Sequence, residues 1–260
     1  MPLRPLRFAV LALVMLSTQG CMPRQAQQSA IPAPPAAIPP PASMVVFPDL
    51  ATRLAALADK ADPEVIRMAL GAQQCAALHG DAPAVRRLAV IDYSRPSTEQ
   101  RLWVFDLARE RLLYSEFVAH GRNTGDNLAR HFSNREGSLQ SSLGLFRTAE
   151  TYDGENGYSL RMDGLEPGIN DLARPRAIVM HGAWYVDPPK ALAQGRLGRS
   201  LGCPALRPQV ARAVIDALKQ GQMLFAYYPD RKWLSKSRYL GCRAHEPVAG
   251  SGASLHAAAR

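Results

Sequence analysis

The sequence predicts an α+β protein in which a mostly β domain carries one packed helix and is preceded by a helical segment. Three observations predict this class. Apolar residues repeat at helical spacing before residue 85, short β-branched or aromatic runs recur from residue 88 onward, and one amphipathic segment lies near residue 210. The 260 residues, of which 47% are hydrophobic, can build a full core for one domain.

The helical segment is expected as an extension over residues 47–85. Apolar residues repeat at helical spacing on both sides of Asp62-Pro63-Glu64. This tripeptide combines an N-cap, a first-turn proline and an acidic first turn, so a helix is expected to begin there and to end at Gly80.

The folded domain is expected over residues 86–242. Runs rich in β-branched or aromatic residues are predicted strands at 88–93, 102–106, 112–118, 143–148, 158–162, 177–180 and 223–228. Segment 208–219 is the predicted helix, because its apolar residues share one face and Gly221 follows it. Residues 121–142 are expected to be a loop, and residues 243–260 a flexible tail.

The first residues predict export. Arg4 and Arg7 precede a short apolar run at 8–16 and then small residues, which together are typical of a secretory signal over residues 1–20. The end of this segment resembles a bacterial lipoprotein signal, which implies that Cys21 is acylated. Plain cleavage and an uncleaved anchor are the alternatives. Periplasm or cell envelope is the expected location.

Residues 21–46 are rich in proline and alanine and are expected to form a disordered, extended tether. The formal net charge of +9 indicates an anionic partner. Basic residues are scattered and no nucleic-acid motif occurs, so nucleic acid is not expected. No run of about 18 apolar residues occurs, which excludes a multi-pass membrane protein.

Candidate chemistry concentrates at His181 and Cys203. His181 ends an apolar run and precedes Gly182, while Cys203 follows Gly202. A thiol nucleophile needs a base, and imidazole is suited to this near neutral pH. A glycine before the cysteine lets the backbone turn sharply and aim N–H groups at an oxyanion. The alternatives are a small buried thiol and a structural core histidine.

The pattern His181-Gly182, a loop, and then Ser200-Leu201-Gly202-Cys203 resembles the H-G…S-x-G-C signature of the murein L,D-transpeptidase catalytic domain family, the YkuD-like cysteine transpeptidases. The similarity covers roughly residues 62–242. It implies a β-rich fold of mostly antiparallel sheets around a cleft, and activity on peptidoglycan stem peptides without a cofactor.

The resemblance also implies roles for single residues. Cys203 attacks the carbonyl between the third and fourth residues of a stem tetrapeptide and expels the terminal D-alanine. His181 takes the thiol proton and later activates an acceptor amine, oriented by the Gly182 carbonyl. The N–H groups of Gly202 and Cys203 form the oxyanion hole. The alternatives are an L,D-carboxypeptidase or related hydrolase with the same dyad, and an inactive wall-binding lipoprotein.

Two positions depart from the family pattern, since Leu201 stands where histidine is common and Ala205 stands in an arginine slot. The residues expected to contact the substrate are His120, Arg122, Arg199, Ser200 and Arg207. His120 is also an alternative base or a surface histidine. A zinc site built from the two histidines and Cys203 lacks the usual short ligand spacing, so no metal is expected.

The remaining cysteines are Cys75 and Cys242, near the start and the end of the folded region. An oxidising compartment permits them to form a disulfide, which is the expected state. Two unpaired buried thiols are the alternative. The acyl acceptor and the oligomeric state do not follow from the sequence.

Overall fold

The computed structural model describes residues 48–83 and 85–242. The predicted signal segment, the Cys21 lipidation site, the tether over 21–46 and the tail over 243–260 therefore lie outside the described residues. Within the described part, none of the helices has the length and apolar character needed to cross a membrane.

A mixed β-sheet forms the centre of the described chain. Its strands are β1 (Arg87–Asp92), β2 (Leu102–Asp106), β3 (Arg111–Glu116), β4 (Gly144–Gly154), β5 (Gly157–Gly164), β6 (Val179–Gly182), β7 (Ala205–Leu206) and β8 (Met223–Tyr227). They lie in the order β3-β2-β1-β8-β4-β5-β6-β7. The β1–β8 and β6–β7 pairs are parallel and the other pairs are antiparallel. The expected β-rich α+β fold is thus confirmed.

Helices cover and flank this sheet. They are α1 (Leu50–Leu57), α2 (Pro63–Leu78), α3 (Pro188–Gln194), α4 (Pro208–Leu218) and α5 (Arg231–Lys236). Helix α2 begins where the sequence predicted, because the Asp62 side chain accepts a hydrogen bond of 2.8 Å from the Glu64 N–H and Pro63 occupies the first turn. Helix α4 buries one apolar face, which includes Val214 and Leu218.

The helical extension and the sheet share one hydrophobic core. Leu54 of α1 and Ile66 of α2 are completely buried in the same cluster as Val90 of β1 and Phe225 of β8. The extension therefore packs as part of the domain, with its apolar face against the sheet.

The structure joins Cys75 of α2 to Cys242 by a disulfide bond, with a Cα–Cα distance of 5.7 Å. His79 lies beside both sulfur atoms, with its Nε2 3.7 Å from Cys242 Sγ. These three residues are the group of potential metal ligands found in the described part of the chain. Both thiols are consumed by the disulfide, so in this state the cluster offers a metal only the imidazole.

Three elements were not predicted from the sequence. Strand β7 has two residues, α3 has seven and α5 has six, and such short segments have no hydrophobic period that can be read. Strand β4 is longer than predicted and runs to Gly154, paired with β5 from Phe146 onward with an irregularity between Thr148 and Thr151. The sequence predicted one packed helix in the domain, α4, whereas the described residues also form α3 and α5.

Candidate active site

Strands β6 and β7 bring the predicted dyad to one place. His181 lies near the end of β6 and pairs in register with Ala205 of β7, so the turn before β7 carries Cys203 alongside β6. The Cys203 thiol lies against that strand, where its Sγ is 3.5 Å from the Val179 N–H nitrogen and 3.6 Å from the Ala177 carbonyl oxygen. Parallel pairing of a very short strand thus positions the thiol.

The His181 imidazole is held in one tautomer. Its Nδ1 lies 2.9 Å from the Gly182 carbonyl oxygen, and a carbonyl can only accept, so Nδ1 carries the proton and Nε2 keeps its lone pair. The side chain is almost completely buried, and this burial lowers the pKa of His181 below 6.5. The imidazole is therefore neutral near pH 7, as a general base must be.

The thiol of Cys203 rests in a protonated, sheltered position. Cys203 is 9% exposed, and burial raises the pKa of its thiol above the usual value, while the Val179 N–H and the charge of Arg176 act in the opposite direction. In the described residues, no hydrogen bond joins Cys203 to His181, because the thiol donates to the Ala177 carbonyl instead. The thiol and the imidazole are therefore held by separate backbone carbonyls, those of Ala177 and Gly182.

Ser200 organises the turn that carries the nucleophile. Its hydroxyl donates to the Cys203 carbonyl oxygen at 2.6 Å and accepts from the Gly202 N–H at 3.1 Å. Gly202 has a φ of +132°, which favours glycine. The Gly202 N–H, expected in the oxyanion hole, is thus used within the turn, and Ser200 is buried. The Cys203 N–H has no acceptor in the described part of the chain.

His120 is a buried histidine and not a surface one. Arg101 Nη2 donates to its Nδ1 at 2.7 Å, and its Nε2–H donates to the Gly125 carbonyl oxygen at 3.2 Å. Only 1% of the residue is exposed, and burial, followed by the charge of Arg101, lowers the pKa of His120 to about 3. Both ring nitrogens are occupied, so in this structure His120 is available neither as a base nor as a substrate contact.

The three arginines proposed for substrate binding differ in their surroundings. Arg207 forms a two-bond ion pair with the buried carboxylate of Glu116, at 2.6 and 3.0 Å. Arg199 donates to the Asp126 carboxylate at 2.9 Å. Arg122 is exposed and lies next to the Gly121–Ser200 bridge. An anionic ligand could therefore bind Arg122 without breaking an ion pair, whereas Arg199 and Arg207 already have carboxylate partners.

Two residues around the site were missed in the sequence. Ser141 donates to the Gly202 carbonyl oxygen at 3.0 Å and accepts from the Gly121 N–H at 3.0 Å, which ties Gly121 to the turn before Cys203. Arg176 contacts the same region through the loop before β4. The sequence predicted neither as a site residue, because their contacts join segments that are distant in sequence.

Comparison with known proteins identifies the family of the chain. Residues 57–227 match the family described as "L,D-transpeptidase catalytic domain", and the chain belongs to this family. No curated protein matches.

Solved structures that resemble the chain include an L,D-transpeptidase from Mycobacterium smegmatis, with 13% identity and a TM-score of 0.34 over 55% of this chain and 59% of that one. Another is the helical cell shape determining protein Pgp2 from Campylobacter jejuni, with 14% identity and a TM-score of 0.37 over 56% of this chain and 48% of that one. The chain thus spans about half to three fifths of the length of these two relatives.

Proposed function

We propose that this protein is a peptidoglycan L,D-transpeptidase that works through a thioester on Cys203. The substrate is a stem tetrapeptide, the leaving group is the terminal D-alanine, and the acceptor is an amine. The observation that carries the proposal is the His181 tautomer. The bond from Nδ1 to the Gly182 carbonyl leaves Nε2 unprotonated, and His181 lies on the strand that pairs with β7, which begins two residues after the buried thiol of Cys203.

In the first half-reaction, the thiol of Cys203 rotates toward His181 and gives its proton to Nε2. The thiolate forms a bond to the scissile carbonyl carbon, and the oxyanion accepts the free N–H of Cys203. When the tetrahedral intermediate collapses, the C–N bond breaks and the D-alanine nitrogen leaves with the proton from the imidazolium. A thioester and free D-alanine remain.

In the second half-reaction, His181 Nε2 takes a proton from the acceptor amine. The amine nitrogen attacks the thioester carbonyl carbon, the C–S bond breaks, and the sulfur recovers its proton from the imidazolium. The Gly182 carbonyl keeps the ring oriented through both steps, which is the task that a carboxylate has in serine proteases.

The test is turnover of defined muropeptides by the purified protein, followed by mass spectrometry. Cys203→Ala should reduce the rate of D-alanine release by several orders of magnitude. His181→Ala should reduce it to a comparable extent, because the two residues act as one unit. The double variant should be scarcely worse than either single variant. His131→Ala, on the exposed surface, is the matched control. Wild-type turnover in Cys203→Ala would refute the proposal, and tripeptide without cross-linked product would favour the carboxypeptidase.

We also propose that the protein is exported and held at a membrane by acylation of Cys21. The basic start, the short apolar run and the cysteine after residue 20 support this. Blocking lipoprotein processing should leave an unprocessed precursor, and Cys21→Ser should release the protein from membranes. A soluble wild-type protein with an unmodified, cleaved N-terminus would end the lipoprotein proposal.

A further inference from the structure

Arg176 is held by an unusual set of partners. Its Nη1 donates to the Ser133 carbonyl oxygen at 2.7 Å and to the Ser142 hydroxyl at 2.6 Å. Its Nη2 donates to the Ser138 hydroxyl at 3.2 Å and to the Gln140 carbonyl oxygen at 2.6 Å. The four N–H bonds on the two Nη atoms are therefore all used by neutral oxygens, and the guanidinium is fixed in place.

No carboxylate in the described part of the chain forms an ion pair with Arg176. The contrast with its neighbours is clear, since Arg174 pairs with Glu150 and Asp163 on the surface. Burial lowers the pKa of Arg176, as expected for a partly buried cation without an anionic partner. Neutral hydrogen-bond acceptors stabilise the cation but leave its net charge uncancelled, so that charge acts on the groups around it.

The nucleophile is one of those groups. A Cβ atom placed on Gly202 would lie 3.6 Å from Arg176 Nη2, and Cys203 follows directly. The thiol itself donates to the carbonyl of Ala177, the residue after Arg176. The charge of Arg176 lowers the pKa of the Cys203 thiol, against the effect of burial, and the thiolate in turn raises the pKa of Arg176.

The loop that Arg176 holds also borders the nucleophile turn. The Gln140 carbonyl oxygen lies 2.9 Å from the position of a Cβ on Gly202, and Ser141 donates to the Gly202 carbonyl. Anchoring this loop therefore fixes one wall of the turn. A role in binding a substrate carboxylate does not fit, because a bidentate contact needs two free N–H groups and those of the Nη atoms are occupied.

We propose that Arg176 is a positioning residue for the nucleophile: it supplies a fixed positive charge that stabilises the Cys203 thiolate and holds the 133–142 loop against the Gly202 turn. The inference rests on the proposed function of Cys203 as the nucleophile. Its consequence is that thiolate formation, the step that burial opposes, depends on a charge that no motif contains.

The experiment measures the rate at which iodoacetamide alkylates Cys203 as a function of pH, in the full chain, by mass spectrometry of the peptide containing Cys203. Arg176→Gln removes the charge and should raise the midpoint of the pH profile by about one unit. Arg176→Lys keeps the charge without the full set of loop hydrogen bonds and should retain most of the wild-type midpoint. Arg174→Gln, an ion-paired surface arginine, should leave the midpoint unchanged.

A second pair of variants keeps the arginine in place. Ser138→Asp puts a carboxylate beside Arg176 Nη2 and should raise the midpoint, whereas Ser138→Asn keeps a neutral acceptor and should not. Circular dichroism establishes that each variant is folded, and the Ser138 pair decides the question if Arg176→Gln does not fold.

The proposal is overturned if Arg176→Gln keeps the wild-type midpoint, or if Arg176→Lys shifts it as far as Arg176→Gln does. Equal midpoints for Ser138→Asp and Ser138→Asn also overturn it. Alkylation requires no turnover, so these outcomes stand apart from the muropeptide test. A protein without transpeptidase activity can still show the shift, and an active one can fail to show it.

Discussion

At the scale of single residues, the same burial has opposite consequences for the two reacting groups. Burial lowers the pKa of the His181 imidazole and raises that of the Cys203 thiol, so both are neutral in the resting site. A resting ion pair is thereby disfavoured. In the mechanism proposed above, proton transfer from Cys203 to His181 therefore begins from two neutral groups.

This arrangement predicts the acid limb of the activity profile. His181 must be unprotonated to act as a base, and its pKa lies below 6.5. Lowering the pH from 7 should therefore leave kcat/KM nearly constant until the pH falls below 6.5, and only then reduce it tenfold per unit. Steady-state assays between about pH 5 and pH 9 measure this. A limb centred at or above 6.5 would show that burial of His181 does not control the reaction.

His120 predicts a dependence of stability on pH. Its pKa is about 3 in the folded protein and near 6.5 in the unfolded chain, so between these values only the unfolded chain binds the proton. Lowering the pH from 6.5 to 3 should cost on the order of 4 kcal/mol of unfolding free energy from this residue. Urea denaturation of His120→Gln should show a smaller loss over that range, whereas the exposed His131→Gln should follow wild type.

That His181 and Cys203 belong to one candidate site could be predicted from the sequence, because a histidine at the end of an apolar run and a cysteine after a glycine are local signals. The sequence could not show that Ser200 uses the Gly202 N–H, or that His120 is enclosed by Arg101. Both facts depend on side-chain directions in the folded chain. Arg176 has no local signal, because its partners lie more than thirty residues away.

At the scale of elements, the short helices illustrate the same limit. Helix α3 begins at Asp187-Pro188-Pro189, which is the cap-and-proline signal that predicted α2 at Asp62. The signal was therefore present, but the helix has only seven residues, which are too few to show a hydrophobic period. Strand β7 has two residues and exists because β6 is available to pair with it, so its formation is a tertiary event.

The turn before β7 predicts the effect of a single methyl group. Gly202 has a φ of +132°, and a Cβ there would lie 2.8 Å from Ile178 Cδ1 and 2.9 Å from the Gln140 carbonyl oxygen. Gly202→Ala should therefore displace Cys203, lower the free energy of unfolding by about 2 kcal/mol and reduce turnover strongly. Gly71→Ala in α2 is the control. A Cβ there would meet no atom of another segment within 4 Å, so the substitution should stabilise the protein. Wild-type activity in Gly202→Ala would show that the turn tolerates the methyl group.

At the scale of the whole molecule, the sheet order brings the two ends of the described chain together. Strand β8 lies between β1 and β4, so the segment after β8 returns toward α2, which precedes β1. Helix α2 packs on β1 and β8, and Trp233 of α5 joins the same core. The helical extension is thus held by apolar contacts first, and the Cys75–Cys242 bond adds a covalent constraint to an arrangement that packing already favours.

That bond predicts a large contribution to stability. It links residues 167 positions apart, so reduction should release a long loop in the unfolded chain and lower the free energy of unfolding by on the order of 5 kcal/mol. Thermal unfolding with and without a reductant measures this, and the Cys75→Ala/Cys242→Ala variant should melt like the reduced wild type and no longer respond to the reductant. Peptide mapping without reduction should recover the linked pair. Two alkylatable thiols at these positions in protein isolated from an oxidising compartment would contradict the bond, and an unchanged melting temperature would show that the apolar contacts of α2 alone hold the extension.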